Sequence, residues 1–367
     1  MIKIGLIVEY NPLHNGHKYL YDKIKELYPD SLVIAIESAE FSQRGELNVF
    51  DKFTRAKQTL SLGVDLVLSN PMYHSMNNAS TFAYSNIYYL NKCKVDKIIC
   101  GSENGSIALL DKMYLIENDN QFENKLKEYL SLGYSYKSSY MKTFEYFNIS
   151  FKSNDLLAYF YYKAIKEINP NIKLELINRI NNNYNDTLIN TTSIQSATSL
   201  RLNQDNLEMY VPKFVYEDYL NFGFRDINNL LDLIKYSLLL NNHVREKIDS
   251  ISKKQKTIIK CNSYQELVNI IKTKSLSTSN INRFLISSLF NINSNYEKIN
   301  SNYIRVLGFN DLGKSLLNDI KKDVIIYTSL KNNINYEFDL EIFVDKILDT
   351  IYKSNLLSKE IKGPIIK

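Results

Sequence analysis

The stretch IKIGLIVEYNPLHNGH, residues 2–17, decides the fold of this 367-residue chain. Its first seven residues are mostly apolar and rich in isoleucine and valine, which is typical of a buried strand. A turn follows that carries two of the chain's four histidines, His14 and His17. Apolar residues then recur at helical spacing from Gly16 to Tyr28. We therefore predict a strand, a histidine-bearing turn and a helix in immediate succession.

The turn is a candidate anion site. Backbone N–H groups at the start of a helix lack partners within the helix, and the helix dipole adds to their attraction for negative charge. Histidines beside such a site can donate hydrogen bonds to phosphate oxygens while charge moves onto a leaving group. The alternative is that His14 and His17 only cap the helix at the surface. We favour the anion site because Gly16 lies between the two histidines and Pro12 precedes them.

Strand and helix patterns alternate through the first 200 residues. Besides residues 2–8, strands are predicted over 32–36, 64–68 and 95–100, and helices over 16–28, 55–62 and 79–90. Such alternation predicts βαβ units around a mostly parallel sheet, whose ligands bind beyond the C-terminal ends of the strands. We therefore expect His14–His17, the loop over 38–45 and Gly101–Glu103 to meet at one edge of the sheet.

The pattern changes near residue 205. The leucine and isoleucine spacing of helices occurs over 228–240, 263–273, 279–290, 310–322 and 339–353. Asparagine-dense stretches over 178–190 and 291–302 predict loops. We therefore predict two domains, an α/β domain over 1–204 and a mainly α-helical domain over 205–367.

Several classes of protein are disfavoured by what the sequence lacks. Neither GxGxxG after the first strand nor GxxxxGK[ST] occurs, which argues against a common dinucleotide-binding fold and against a P-loop enzyme. With no long apolar stretch and no signal-peptide pattern, we expect no membrane span and a cytoplasmic location. The three cysteines, Cys93, Cys100 and Cys261, lack metal-ligand spacing and predict reduced thiols. A net charge of +5 only weakly favours a polyanionic partner.

A second candidate motif, SIQSATSLR, spans residues 193–201. A cluster of serine and threonine before a helix, with an arginine one turn inside it, can supply hydroxyls and a guanidinium to phosphates. The alternative is an ordinary helix cap. The presence of His14 and His17 in the same chain favours the phosphate role for Ser196, Thr198 and Arg201.

These residues together resemble a known family. The His14-x-Gly16-His17 run is similar to the signature of the HxGH nucleotidyltransferase superfamily, and residues 193–201 resemble its second phosphate-binding motif. The wider stretch over 5–17 is more similar to one family in particular, the bacterial tRNA(Met) cytidine acetate ligases. The resemblance covers essentially the whole chain, since it continues through residues 43–46, 63–67, 101–103 and 303–309.

The resemblance implies a Rossmann-like parallel-sheet nucleotidyltransferase domain followed by a mainly α-helical, tRNA-binding domain. It also implies a two-step reaction. ATP and acetate give acetyl-adenylate and pyrophosphate, and N4 of the wobble cytidine of elongator tRNA(Met) then takes the acetyl group. Two alternatives stay open, a small-molecule adenylyltransferase and a non-catalytic tRNA-binding relative. We expect Mg²⁺ to accompany ATP, although no carboxylate pair marks its ligands, and we expect no stable protein partner.

The resemblance further implies which residues form the site. His14 and His17 are the expected catalytic residues. The expected ATP-binding residues are Ile7, Val8, Glu9, Tyr10, Asn11, Pro12, Leu13, His14, Asn15, Gly16, His17, Lys18, Tyr19, Leu20, Gly101, Asn154, Arg179, Ser196, Thr198 and Arg201. Gly101 is also favoured on physical grounds, because a glycine that ends a strand lets an adenosine approach the backbone closely. Arg179 rests on the resemblance alone, since a solitary arginine is usually a surface residue.

Basic residues near aromatic ones in the second half suggest RNA contacts. Arg283 and Arg305 are the expected tRNA-binding residues, and the alternative for each is a solvated helix face beside buried aromatic side chains. Arg44 is expected either to hold a carboxylate or phosphate or to be an exposed loop charge. His74 and His243 are expected to have ordinary core or surface roles.

The sequence departs from the family pattern at three places. SAEF at residues 38–41 stands where the family usually has SGNF, so Glu40 brings a negative charge near the expected site of an anionic substrate. Asn181 stands at a usual glycine, a change that is mild because asparagine tolerates the left-handed conformation. Ser69-Asn70-Pro71 replaces Glu-Leu-Pro. Of these changes, Glu40 bears most directly on activity.

Overall fold

A computed structural model describes residues 1–103, 105–179, 194–240, 251–292, 299, 301–329 and 336–367. Asn181, Ser193, His243 and most of the two asparagine-dense loops predicted over 178–190 and 291–302 lie outside these residues. None of the described helices is long and apolar enough to cross a lipid bilayer.

The described strands form one mixed sheet. Their bounds are β1 Lys3–Val8, β2 Leu32–Ser38, β3 Leu66–Asn70, β4 Lys97–Ser102, β5 Lys173–Asn178, β6 Tyr303–Phe309, β7 Ile325–Tyr327 and β8 Ile365–Ile366. The spatial order is β5-β4-β1-β2-β3-β6-β7, with β8 beside β6. Every neighbouring pair is parallel except β3 and β6, which are antiparallel. The expected α/β fold with a mostly parallel sheet is confirmed.

Helices cover the sheet and build the rest of the molecule. Their bounds are α1 Asn15–Leu27, α2 Lys52–Leu62, α3 Met72–Ser75, α4 Ala79–Lys92, α5 Ile107–Glu117, α6 Asn120–Ser131, α7 Tyr136–Tyr146, α8 Ser153–Ile168, α9 Ala197–Leu202, α10 Lys213–Phe222, α11 Leu231–Leu239, α12 Ile251–Lys260, α13 Tyr264–Ile271, α14 Thr278–Leu289, α15 Asp311–Ile320, α16 Tyr336–Tyr352 and α17 Leu356–Lys362. Short 3₁₀ turns lie at Leu207–Met209 and Ile227–Leu230.

Local chemistry explains where these elements begin and end. All seven residues of β2 are buried, as expected for a central parallel strand covered on both faces. The helix α2 begins where the Asp51 carboxylate accepts from the N–H groups of Phe53 and Thr54. It ends at Gly63, whose φ of 115° suits a glycine, directly after the predicted helical range 55–62.

The second half of the chain returns to the sheet, which its helical periodicity did not predict. Strand β6 pairs with β3, and β7 and β8 pair with β6. The first six residues of β6 are buried, and an apolar run of this length can be a strand or a buried helix by pattern alone. The second half is therefore mainly helical but shares the sheet of the first, and the boundary at residue 204 stays a prediction.

Three helices that the sequence analysis missed follow the fourth strand. Helices α5, α6 and α7 lie between β4 and α8 and enclose an aromatic core of their own. In that core the ring centroids of Phe122 and Phe144 are 4.7 Å apart. Strand-forming and helix-forming residues are mixed in this stretch, so aromatic packing rather than a clean periodicity defines the three helices.

Candidate active site

A cavity of about 640 Å³ lies at the C-terminal ends of β1, β4 and β5. Most residues predicted to contact ATP line it: Ile7, Val8, Glu9, Tyr10, Asn11, His14, Gly16, His17, Tyr19, Leu20, Gly101, Asn154, Arg179, Ser196, Thr198 and Arg201. The histidine turn, residues 43–44 and Gly101 do meet at one sheet edge, as the sequence predicted. The volume is within the range of small-molecule sites.

Four residues of the predicted set do not line the cavity. Pro12 is buried and Leu13 is fully buried in the core beneath it. Asn15 donates from its side chain to the Met209 carbonyl at 2.9 Å. Lys18 points away along α1, where it pairs with Asp22 at 2.5 Å. These side chains hold the turn in place or face solvent, and their contact with ATP stays a prediction.

The two imidazoles cap the helix that they introduce. The backbone N–H of Gly16 donates to Nδ1 of His14 at 3.0 Å, and the N–H of His14 donates to Nδ1 of His17 at 3.2 Å. The two rings stack with centroids 3.8 Å apart. Because each Nδ1 accepts a hydrogen bond, the proton of each neutral ring belongs on Nε2. The capping role and the anion-binding role are thus compatible, and His14, with 3% of its surface exposed, is no surface cap.

A glycine at position 16 is required by the His14 ring. A Cβ atom added there would lie 2.8 Å from Cε1 of that ring, closer than real Cβ contacts allow. Tyr10 packs edge-on against the His17 ring, with the two ring centroids 4.9 Å apart. The spacing of the HxGH motif therefore follows from packing as well as from chemistry.

Both imidazoles are neutral at physiological pH. Burial, and then the Arg179 guanidinium, lower the pKa of His14 to about 4. Burial, His14 and Arg179 lower the pKa of His17 well below its ordinary value. Each ring is therefore a neutral Nε2–H donor in the free protein, and its charged form is favoured only once an anion arrives.

We expect an NMR titration of the free protein to show the His14 imidazole protonating near pH 4. Because the folded pKa lies below the value of about 6.5 in the unfolded chain, the stability that this difference contributes is complete above about pH 6.5. It is lost as the pH falls toward 4. Substituting Arg179→Met removes a positive neighbour and should raise the pKa of both histidines. An unshifted His14 pKa near 6.5 in the wild-type protein would contradict the buried geometry.

The second motif reaches across the cavity to the first. Arg201 donates from Nη1 to the Asn11 carbonyl at 2.7 Å and from Nη2 to Thr198 Oγ1 at 3.3 Å. It also forms an ion pair with Glu46 at 2.9 Å. Ser196 both caps α9, by accepting from the Ser199 N–H at 3.1 Å, and lines the cavity. The imidazoles and the Arg201 guanidinium therefore share one cleft.

The far wall of the cavity comes from the ends of β4 and β5. Arg179 packs against Gly101, where an added Cβ would lie 3.1 Å from Arg179 Cγ. The backbone N–H of Arg179 donates to the Ser102 carbonyl at 2.9 Å. Asn154, one residue inside α8, donates to Glu103. The glycine thus admits an arginine side chain to the wall of the nucleotide cavity.

Asp155 organises this wall, and the sequence analysis missed it. Its buried Oδ1 accepts from the Ser102 hydroxyl at 2.6 Å and from the N–H groups of Glu103 at 3.0 Å and Gly105 at 3.2 Å. Its Oδ2 accepts from the Lys152 N–H at 3.0 Å. Asp155 lies three positions after Lys152, the residue that precedes α8. An acidic residue at that position of a helix start is a capping pattern, which could have identified Asp155.

Glu40 does not carry its charge into the cavity. It is buried outside the cavity lining, where it pairs with Arg225 at 2.6 Å and accepts from the Lys52 N–H at 3.0 Å. Arg225 in turn donates to the Asn48 and Phe50 carbonyls. Arg225, from the second half of the chain, therefore neutralises the charge that this departure from the family pattern introduces. Glu40 adds no negative charge to the lining of the cavity.

The two predicted RNA contacts need correction. Arg305 lies on β6 with 4% of its surface exposed; it pairs with Glu360 at 2.5 Å and donates to the Tyr327 carbonyl at 3.2 Å. Arg283 is 7% exposed and donates to Asn280 Oδ1 at 2.6 Å. Both side chains are buried, so they are not available to an RNA backbone.

The remaining candidates have structural roles or are available at the surface. His74 is buried and its Nε2 lies 2.8 Å from Glu337 Oε1. Cys100 lines the cavity, but burial raises the pKa of its thiol to about 12, so it is no nucleophile at neutral pH. Arg44 lines the cavity and is exposed. Across the described part of the chain, no group of three His, Cys, Asp or Glu side chains could hold a metal ion.

The chain matches known proteins along its whole length. Residues 1–362 match the family model described as HIGH Nucleotidyl Transferase. A protein of Caldicellulosiruptor saccharolyticus named tRNA(Met) cytidine acetate ligase is 34% identical over 95% of this chain and 94% of its own length. The protein of that name from Oceanobacillus iheyensis is 33% identical, with both chains covered completely.

Solved structures give the same result. Apo TmcAL from Thermotoga maritima superposes with a TM-score of 0.84 at 26% identity, over 100% of this chain and 99% of that one. A second form of the Thermotoga protein, bound with alpha-thio ATP, has a TM-score of 0.80 over 98% and 94% of the two chains. The chain therefore belongs to the HIGH nucleotidyl transferase family and, within it, to the tRNA(Met) cytidine acetate ligases.

Proposed function

We propose that this protein is an ATP-dependent ligase that activates acetate as acetyl-adenylate and acetylates N4 of the wobble cytidine of elongator tRNA(Met). One observation carries the proposal: His14, His17, Thr198 and Arg201 line a single cavity in a chain whose relatives bear that enzyme's name. A small-molecule adenylyltransferase would account for the cavity but not for a resemblance that includes the helical second half.

In the first step an acetate oxygen attacks the α-phosphorus of ATP. A new P–O bond forms, the bond from the α-phosphorus to the bridging oxygen breaks, and pyrophosphate leaves with its electron pair. This chemistry needs positioning and charge stabilisation rather than a covalent intermediate on the protein. The Nε2–H groups of His14 and His17 donate to the phosphate oxygens that gain charge, and Arg201 and Thr198 hold the pyrophosphate end.

In the second step the exocyclic amine of cytidine attacks the acetyl carbonyl carbon. The N–C bond forms, the bond from that carbon to the AMP oxygen breaks, and the amine releases one proton to AMP or water. Gly101, Asn154 and Arg179 are proposed to hold the adenosine, with the apolar wall of Ala158 and Tyr161 beside it. The reaction leaves acetylated tRNA, AMP and pyrophosphate.

The donor set does not fit a protein-bound Mg²⁺. The cavity-lining carboxylates are already engaged, since Glu9 accepts from the Gln43 N–H at 2.5 Å and Glu46 pairs with Arg201 at 2.9 Å. Together with the absence of a three-ligand cluster among the described side chains, this favours a Mg²⁺ that arrives on the phosphates of the nucleotide.

Glu46 competes with the nucleotide for Arg201, and a substitution tests this. In the free protein the Glu46 carboxylate neutralises the guanidinium that the pyrophosphate end of ATP requires. We expect Glu46→Gln to tighten ATP binding by roughly 3-fold to 10-fold, since one competing partly exposed ion pair is worth about 1 kcal/mol. Isothermal titration with a non-hydrolysable ATP analogue measures the change. A Glu26→Gln variant, at a partly exposed pair on α1, is the matched control, and equal affinities in the two variants would contradict the competition.

The direct test incubates the protein with ATP, labelled acetate and bulk tRNA from its own source. We expect label in elongator tRNA(Met), on N4 of the wobble cytidine, and a dependence on ATP. Adenylylation of a small molecule without tRNA would instead support the adenylyltransferase, and tRNA binding without turnover would support a non-catalytic relative. Since tRNA and ATP meet in the cytoplasm, the proposal places the protein there.

A further inference from the structure

Four basic side chains, here called the basic cluster, form no ion pair with the residues that the structure describes: Arg44, Lys137, Lys142 and Lys274. Of these, Arg44 lines the cavity. Lys137, near the start of α7, donates from Nζ to Ser153 Oγ at 3.4 Å. Ser153 precedes Asn154, which lines the cavity.

The cluster joins parts of the chain that are far apart in sequence. The Nζ atoms of Lys142 and Lys274 lie 5.1 Å and 5.4 Å from the centre of the Tyr134 ring. Tyr134 lies two residues before α7, and Lys274 lies between α13 and α14. Lys142 from the first half of the chain and Lys274 from the second therefore place positive charge around one tyrosine ring, three residues before Lys137.

Arg44 and Lys137 repel one another in the free protein. Partial burial and the nearby Arg44 guanidinium lower the pKa of Lys137 from its ordinary value. A polyanion relieves this repulsion and releases its own counterions, which is the main source of affinity for nucleic acids.

An exposed aromatic ring lies within the same cluster. Tyr136 exposes 59% of its surface directly beside Lys137, and one face of its ring stacks on Tyr140 at 5.8 Å. Unpaired bases stack on such rings, whereas duplex nucleic acid keeps its bases covered. Cations with an adjacent aromatic ring thus favour single-stranded RNA over other polyanions.

We propose that the basic surface formed by Arg44, Lys137, Lys142, Lys274 and Tyr136 binds the anticodon loop of the RNA substrate and guides the acceptor cytidine into the cavity. The inference rests on the proposed function and replaces Arg283 and Arg305, which are buried, as the RNA contacts. The cytidine must leave its stack to reach an adenylate inside the cavity. The nucleotides that flank it are then held outside the cavity, on the basic surface that begins at Arg44.

The test uses the full chain with Lys137→Gln, Lys142→Gln and Lys274→Gln combined. Arg44 is left unchanged because it lines the cavity. We expect acetate-dependent ATP–pyrophosphate exchange without tRNA to stay at the wild-type rate. Binding of an elongator tRNA(Met) transcript should weaken by about 10-fold to 100-fold at physiological salt, and the slope of log affinity against log salt should fall by about 2, or roughly 0.7 for each lost phosphate contact.

A matched control removes the same charge elsewhere. Lys314→Gln, Lys321→Gln and Lys322→Gln change three exposed lysines on and just after α15, which packs beside β6 away from the cavity. This variant should bind tRNA like the wild type. If the two triple variants bind tRNA equally and the wild type acetylates tRNA, the proposed basic surface is wrong while the proposed function stands. A wild type that neither binds nor acetylates tRNA overturns the proposed function as well.

A second arm tests the aromatic contribution. Tyr136→Leu should weaken tRNA binding by roughly 5-fold or more without changing the salt slope, and Tyr136→Phe should bind like the wild type. If Tyr136→Leu binds as tightly as the wild type, the surface contacts only the backbone, and the single-stranded contact is wrong.

Discussion

Substitution of either His14 or His17 by alanine is expected to lower the rate of acetate-dependent ATP–pyrophosphate exchange by about 10²–10³-fold. The reason is the loss of one buried Nε2–H donor from oxygens that gain charge in the transition state. Neutral donors of this kind are pre-oriented here, because backbone N–H groups hold both Nδ1 atoms. The double variant should lose exchange to at least the same extent, although losses within one site do not add.

The control for these variants separates chemistry from folding. His14→Ala also removes the cap of α1, which costs about 1 kcal/mol, so His14→Asn, which keeps a cap acceptor, should restore the melting temperature but not exchange. His74→Gln changes a buried histidine that does not line the cavity, and its folded fraction should exchange normally. Wild-type exchange by a folded His14→Asn, His17→Ala double variant would exclude these imidazoles from catalysis.

Lys52→Met is expected to lower the free energy of unfolding by about 3–5 kcal/mol, since it leaves buried carboxylates without their cation. The Lys52 ammonium lies 3.1 Å from Glu341, 2.9 Å from Asp345 and 2.6 Å from Glu360. Burial disfavours its charge, but the three carboxylates outweigh burial and raise the pKa of Lys52 well above its ordinary value. Denaturant unfolding followed by circular dichroism measures the loss.

The same helix supplies the matched control. Lys57→Met breaks a pair with Asp218 at 3.1 Å in which the lysine is 61% exposed, so its cost should stay below about 1 kcal/mol. Adding Asp345→Asn to Lys52→Met removes one of the stranded charges and should recover part of the stability. Equal unfolding free energies for Lys52→Met and Lys57→Met would show that the buried cluster does not tie α16 and α17 to α2.

The N-terminal half of the fold was predictable because its signals are local. Strand, turn and helix alternate within short windows, and the predicted range 55–62 ends at the same residue as α2, Leu62. Strand β6 was not predictable, since its pairing with β3 joins residues more than 200 positions apart. Periodicity within one window contains no information about such a partner.

The candidate site, like the fold, could be predicted from the sequence only where its signals are local. His14 and His17 belong to a short motif that could be recognised alone. The phosphate role of Thr198 and Arg201 was favoured only because that motif is present in the same chain. The partner of Glu40 was missed because the pair with Arg225 joins distant segments. Asp155 has a local capping signal, but its role in the cavity wall depends on contacts with the distant Ser102 and Glu103. Arg305 was misassigned for a related reason. A charged residue is expected to be exposed unless its buried partner is known.

The central claim is that the HxGH turn and the serine-threonine-arginine motif hold one triphosphate between them. A crystal structure of the protein with a non-hydrolysable ATP analogue tests it most directly. We expect phosphate oxygens within hydrogen-bonding distance of the Nε2 atoms of His14 and His17 on one side and of Arg201 on the other, with Glu46 displaced from the guanidinium. A nucleotide whose phosphates lie away from either flank would contradict the account.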